Sequence, residues 1–194
     1  METVKTAGQN DAAINQKLIT EENQAAFMAA CKNGDCETVK LLIGKNGVDI
    51  NKEDDFQETP LYIACENGHL EVVKLLIKNG ADINKADENQ ATPLYIVCQN
   101  GHLGVVKLLL KNNETATPRR TLLEMSCRKK NIEIARFLLI LDPMLFFTTR
   151  DPKGFLRNNF KSFEFLPQNK MFIVLITLFV FSTFFHSTFQ IQIQ

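Results

Sequence analysis

Five cysteines, three histidines and a scatter of carboxylates are the residues of this chain best able to hold a metal or move a proton. Cys31, Cys36, Cys65, Cys98 and Cys127 form no Cys-x-x-Cys pair, and no histidine stands beside them at zinc-site spacing. An odd number spread evenly along the chain also argues against a secreted disulfide framework. The polar start, 1–24, carries no apolar core of signal-peptide type, so a reducing, cytosolic setting is expected. His69 and His102 each follow a glycine, and His186 lies in an apolar stretch with no partner. Asp54, Asp55 and Glu58 crowd one short segment, where solvation accounts for them. There is no nucleophile-elbow serine, glycine-rich phosphate loop or metal-spaced histidine pair. The expectation is a chain with no catalytic residues, no metal and no cofactor, and therefore not an enzyme.

The spacing of these residues points instead to a repeat. Thr59-Pro60-Leu61-Tyr62-Ile63-Ala64-Cys65-Glu66-Asn67-Gly68-His69-Leu70 returns 33 residues later as Thr92-Pro93-Leu94-Tyr95-Ile96-Val97-Cys98-Gln99-Asn100-Gly101-His102-Leu103. Val72-Val73-Lys74-Leu75-Leu76 returns as Val105-Val106-Lys107-Leu108-Leu109 at the same shift. A weaker copy lies upstream, with Phe27 to Gly34 matching Leu61 to Gly68 at a shift of 34. Another lies downstream, with Thr121 to Leu139 matching the third copy at a shift of 29. In the two inner copies, Thr59 and Thr92 can cap a helix with Pro60 and Pro93 at its first position, where a missing N–H costs nothing. Gly68 and Gly101 close that helix in the left-handed conformation. A second amphipathic helix follows, stopped by Gly80, and Ala81 to Gln90 forms an extended excursion. One such unit cannot bury its own apolar face, so the copies must stack.

A 33-residue period carrying Thr-Pro-Leu, Gly-His-Leu and Gly-Ala-Asp-Ile-Asn resembles the ankyrin repeat over about residues 23–141. The chain departs from that pattern in having Tyr62 and Tyr95 after Thr-Pro-Leu. It also has Gln57 and Gln90 where a glycine is usual. The resemblance implies an all-α solenoid of stacked helix-turn-helix units with β-turn fingers, with repeats at about 24–57, 58–90, 91–119 and 120–141. Stacked helices lie about 10 Å apart, too far for a disulfide between the repeating cysteines, which are expected to fill the core. Both histidines are expected to bond neighbouring backbone. The outer copies carry the defects of end caps. Ala25-Ala26 replaces Thr-Pro and Asp35 replaces histidine in the first, and Leu122 replaces proline and Lys130-Asn131 replaces Gly-His in the fourth.

By the same resemblance, the function is protein–protein recognition through finger tips and the exposed side of each first helix, which line a concave face. Those positions are Asp55, Phe56, Glu58, Tyr62, Glu66 and Asn67 in the second repeat. In the third they are Glu88, Asn89, Ala91, Tyr95, Gln99 and Asn100. Phe56 is the expected hot spot, and Tyr62 and Tyr95 are expected to add contacts through their hydroxyls. Lysine plus arginine equals aspartate plus glutamate, 22 of each, but the balance is uneven along the chain. Through Asn113 there are 16 acidic and 11 basic residues, and from Glu114 onward 6 and 11. The expected partner therefore presents a basic or mixed-charge surface. Nucleic acid is not expected, because no basic stretch is dense enough. A monomer is expected.

Composition changes after Leu141, and 12 of the 15 phenylalanines lie beyond it. Residues 1–22 read as a polar N-terminal segment, 142–170 as an irregular basic linker, and 171–189 as a candidate transmembrane or capping helix. Met171 to Phe185 carries no charge, and extended to Phe189 it would measure roughly 28 Å as a helix, close to a bilayer's hydrocarbon core. Arg150, Lys153, Arg157, Lys161 and Lys170 precede it and no basic residue follows, which matches the positive-inside bias. Three readings are compatible with this stretch: a membrane anchor with the repeats in the cytosol, translation past a truncated gene end, and a helix capping the last repeat. Two rival functions are a channel or transporter fragment whose cytosolic part is the repeat array, and a recruiting subunit for a catalytic partner.

Overall fold

The computed structural model describes residues 19–44, 48–112, 117–142 and 145. The chain divides into two compact units, one ending at Thr117 and one starting at Pro118. In the first unit, a helix over 19–33 (α1) is followed by α2 (Cys36–Gly44), α3 (Pro60–Glu66), α4 (Leu70–Lys78), α5 (Pro93–Asn100) and α6 (Leu103–Lys111). The second unit contains α7 (Arg119–Arg128) and α8 (Ile132–Leu141). No strand occurs among the described residues.

The sequence punctuation sets where the inner helices begin. Thr59 and Thr92 hold extended backbone, and their hydroxyls accept from the Tyr62 N–H at 3.1 Å and the Tyr95 N–H at 3.2 Å. Pro60 and Pro93 occupy the first turn. Where Thr-Pro is missing, the first helix is longer. The helix α1 runs straight through Ala25-Ala26, so its described part reaches back to residue 19, inside the stretch read from sequence as a polar lead-in. With Leu122 in place of proline, α7 extends back to Arg119, with Pro118 as its N-cap, whose ring disfavours helical backbone at the residue before it. The fourth helical hairpin thus starts before the threonine that its alignment marks.

Each repeat buries the same slots. Phe27 and Cys31, Leu61 and Cys65, and Leu94 and Cys98 are fully enclosed in the first unit. The second helices add Val39 and Leu42, Val72, Val73 and Leu76, then Val105, Val106 and Leu109. First helices pack on first helices (α3 on α5) and second on second (α2 on α4, α4 on α6), the stacking that one hairpin alone could not supply. In the second unit, α7 packs on α8 around Leu122, Leu123, Ile134 and Leu138. Ser126 is buried there at the slot held by Val97, its hydroxyl donating to the Leu122 carbonyl at 2.7 Å. No disulfide joins the five cysteines. Burial pushes the Cys31 thiol up to about 12, with the nearby Cys36 adding to it, and burial pushes Cys127 up to about 12 and raises Cys65 too.

Candidate functional site

The fingers between α2 and α3 and between α4 and α5 are built by one device used twice, 33 residues apart. The Asp54 carboxylate accepts from the backbone N–H groups of Phe56 and Glu58, both at 2.9 Å. Asp87 does the same for Asn89 at 2.9 Å and Ala91 at 2.7 Å. Backbone bonds close each tip, with Gln57 N–H donating to Asp54 O and Gln90 N–H to Asp87 O. The tip demands a left-handed residue, and Gln57 and Gln90 supply it at φ 60° and 63°. Glutamine therefore accepts the strain at the place where a glycine is usual.

The fingers are also tied to each other. Glu88 N–H donates to the Phe56 carbonyl at 3.2 Å. Asn51 donates to Gly80 O and accepts from Asp82 N–H at 2.8 Å, and Lys85 pairs with Glu53 at 3.1 Å. Phe56 is consequently held at both backbone ends, yet the residue is 61% exposed. Asp55, Glu88 and Asn89 are exposed beside these tips. Glu58 is half-buried, and burial, followed by the charges of Asp54, Glu66 and Asp87, holds its carboxyl above the usual carboxylate range, with Lys32 partly offsetting them.

The remaining candidates differ in exposure and in what holds them. Ala91, Tyr95, Gln99 and Glu66 are half-buried, and Asn67 and Asn100 exposed. Asn67 donates its amide to Ile63 O at 2.9 Å and Asn100 to Glu66 O at 2.9 Å, so both amides serve the scaffold. Tyr62 corrects the sequence expectation of a hydroxyl offered to a partner. It is 3% exposed, and its O–H donates to the Asp87 carboxylate at 3.1 Å. Burial first, then the Asp87 charge, raise its phenol above the ordinary value. The ring lies inward because the finger carrying Asp87 covers it.

Solvation does not account for Asp54, whose carboxylate shapes its finger, and sequence reasoning missed the matching Asp87. Their signal was present in their own 33-residue recurrence and in the turn-forming habit of aspartate, whose carboxylate caps backbone two residues on. It also missed Gln24, whose buried amide bonds Asp49 N–H and C=O, both at 2.9 Å, tying α1 to the first finger's root.

The histidines bond backbone, as the resemblance implied. His69 bonds the Lys32 carbonyl at 2.9 Å and His102 the Glu66 carbonyl at 3.0 Å, each reaching the preceding repeat. A carbonyl only accepts, so Nε2 carries the proton in both rings. Each ring lies over the glycine that ends the preceding first helix, and a Cβ on Gly34 or Gly68 would collide with it. In the first repeat Asp35 serves locally instead, its carboxylate accepting from Thr38 N–H at 3.1 Å and from the Thr38 hydroxyl at 2.6 Å. These bonds hold the Asp35 carboxyl below its ordinary value. Among the described residues, no group of three histidine, cysteine or acidic side chains could hold a metal ion.

A family model described as ankyrin repeats in three copies matches residues 2–87, and one described as the LRRK2 ANK repeat matches 50–142. Thr-Pro capped first helices, left-handed glycines under the next histidine and paired fingers are the physical content of those matches. The chain belongs to the ankyrin-repeat family. Human protein phosphatase 1 regulatory subunit 27 is 38% identical over 64 residues, 33% of this chain and 41% of that protein. The BTB/POZ domain-containing protein 3 of Schizosaccharomyces pombe is 36% identical over 68 residues, 34% of this chain and 13% of its own. An ankyrin repeat-containing protein of Saccharomyces cerevisiae is 38% identical over 60 residues, 31% of this chain and 12% of its own. The matches span less than half of each of these relatives. As an ankyrin-repeat protein, the chain is of a kind that works by binding other proteins.

Proposed function

We propose that this ankyrin-repeat chain recognises a partner protein through the fingers of its second and third repeats, with Phe56 as the anchor and Asp55, Glu58, Glu88 and Asn89 around it. Ala91 belongs to the same finger as Glu88 and Asn89, and Glu66, Asn67, Tyr95, Gln99 and Asn100 supply the neighbouring first-helix edge. The observation that carries this reading is Phe56 itself, an aromatic residue 61% exposed on a backbone held from both sides. A preorganised aromatic loses little conformational entropy when a partner buries it. The acidic surroundings, with Glu58 held above its usual range by burial and like charges, favour a basic or mixed partner surface. The likeness to a phosphatase regulatory subunit supports binding as the shared trait. Phe56→Ala should weaken the partner complex by about 2 kcal/mol, some thirtyfold, while leaving the melting temperature within a degree or two. Calorimetry against the isolated partner checks this, and unchanged affinity would remove Phe56 from the interface.

We also propose that residues 171–189, which lie outside the described residues, tether the chain to a membrane with the repeats on the cytosolic side. Among the described residues no helix is long and apolar enough to cross a membrane. Support comes from the uncharged run Met171 to Phe185 and the basic residues ahead of it. Carbonate extraction of the full chain, beside a version ending at Gln168, tests the tether. Retention of the full chain alone in the pellet is the expected result, and release of both sinks the reading.

A further inference from the structure

The turn between α7 and α8 differs in charge from the matching turns of the first unit. Those turns read Lys32-Asn33-Gly34, Glu66-Asn67-Gly68 and Gln99-Asn100-Gly101. The second unit has Arg128-Lys129-Lys130 at that place, three consecutive cations, all exposed. The glutamates of its two helices are engaged elsewhere, Glu124 with Arg120 at 2.9 Å and Glu133 with Arg136 at 3.5 Å. Among the described residues no carboxylate pairs with Arg128, Lys129 or Lys130.

The backbone adds a second observation. Lys130 is held at φ 63°, where Gly34, Gly68 and Gly101 take the left-handed turn at 76°, 74° and 90°. Glycine would relieve that strain, and among the described residues the Lys130 side chain forms no hydrogen bond or ion pair that offsets it. A strained residue that the fold does not need points to a role outside the fold. The alignment at a shift of 29 sets Arg128 and Lys129 where Gln99 and Asn100 stand in the third repeat, on the first-helix edge assigned above to partner binding. We propose that Arg128, Lys129 and Lys130 receive an acidic stretch of the partner protein. This rests on the reading that first-helix edges face the partner. It narrows the expected basic or mixed surface to a mixed one, basic toward Glu58 and Glu88 and acidic toward the fourth repeat.

Fluorescence anisotropy of a labelled polyglutamate peptide, titrated with the full-length chain at low salt, tests this. Arg128→Gln with Lys129→Asn and Lys130→Gly installs the third repeat's own residues. It should weaken binding by about tenfold, three exposed charge contacts of modest strength each. Lys130→Gly alone should weaken binding about twofold while relieving the backbone, and it decides the matter if the triple variant fails to fold. Arg119→Gln with Arg120→Gln, at the far end of α7, should change binding little. Equal weakening by that pair means that the peptide reads net charge alone, and overturns the proposal. A peptide that does not bind, or that binds the triple variant equally well, also overturns it. Uptake by phosphatidylserine vesicles that only the triple variant loses, with no peptide binding, assigns the cations to a membrane instead. Phe56→Ala should leave peptide binding unchanged, so a failure of Phe56 as anchor is told apart from a failure of this site.

Discussion

Gln57, Gln90 and Lys130 sit in the left-handed region at φ 60°, 63° and 63°, a backbone conformation that costs a non-glycine residue about 1–2 kcal/mol. Gln90→Gly and Lys130→Gly should each raise stability by about 0.5–1 kcal/mol, after the entropy that glycine loses on folding is subtracted. Urea denaturation checks both, and a lower midpoint would show that these side chains contribute more than their strain. The opposite change, Gly68→Ala, meets both a φ of 74° and the ring of His102, and should cost about 2 kcal/mol or more. The thiols make a pH prediction. Cys31, Cys65 and Cys127 ionise less readily folded than unfolded, so unfolding releases protons once pH passes about 8.5, the unfolded thiol value. The stability due to their burial is whole below that pH and is lost as pH rises toward 12. Under reducing conditions, the denaturation midpoint should stay level from pH 7 to 8 and fall by pH 10. A midpoint still level at pH 10 would contradict the burial of these thiols.

Helix length follows punctuation at the level of the element. Inner first helices start at Thr-Pro and run seven or eight residues, while α7 runs ten. Restoring the motif in the first repeat, Ala25→Thr with Ala26→Pro, should strip helical structure from residues 19–24 and leave 27–33 helical. Backbone chemical shifts report this directly, and a helix that persists through residue 22 would mean that packing outweighs the proline. This relation was legible in the sequence for α3 and α5, because the threonine, proline and glycine signals are local. It was not legible for α1, which runs through Ala25-Ala26 where the stop is missing, nor for α7, which starts after Pro118 and not at the aligned Thr121. The Gly-His turn was also readable as backbone-bonding. That the carbonyl lies 37 and 36 residues away, in the preceding repeat, depends on stacking.

At the scale of the whole molecule, the charge asymmetry sets an expectation for binding. The stretch through Asn113 carries 16 acidic and 11 basic residues, so association with a basic partner should slow as salt rises. Between 50 and 300 mM salt the association rate should fall by about tenfold with dissociation little changed, as stopped-flow mixing would show. A salt-independent rate would favour a partner that reads Phe56 and little charge. The sequence by itself determined the repeat, its period, the inner helix starts, the left-handed glycines and the core slots of Cys31, Cys65, Cys98 and Cys127. All of these rest on local backbone chemistry or on a periodicity visible along one chain. Only the tertiary structure decided which candidate residues face outward. Phe56 and Tyr62 are aromatic residues six positions apart, and nothing local separates them. The finger brought up by the next repeat puts Asp87 against the Tyr62 hydroxyl and buries that ring, while the Glu88 N–H holds the Phe56 backbone and leaves its ring in water.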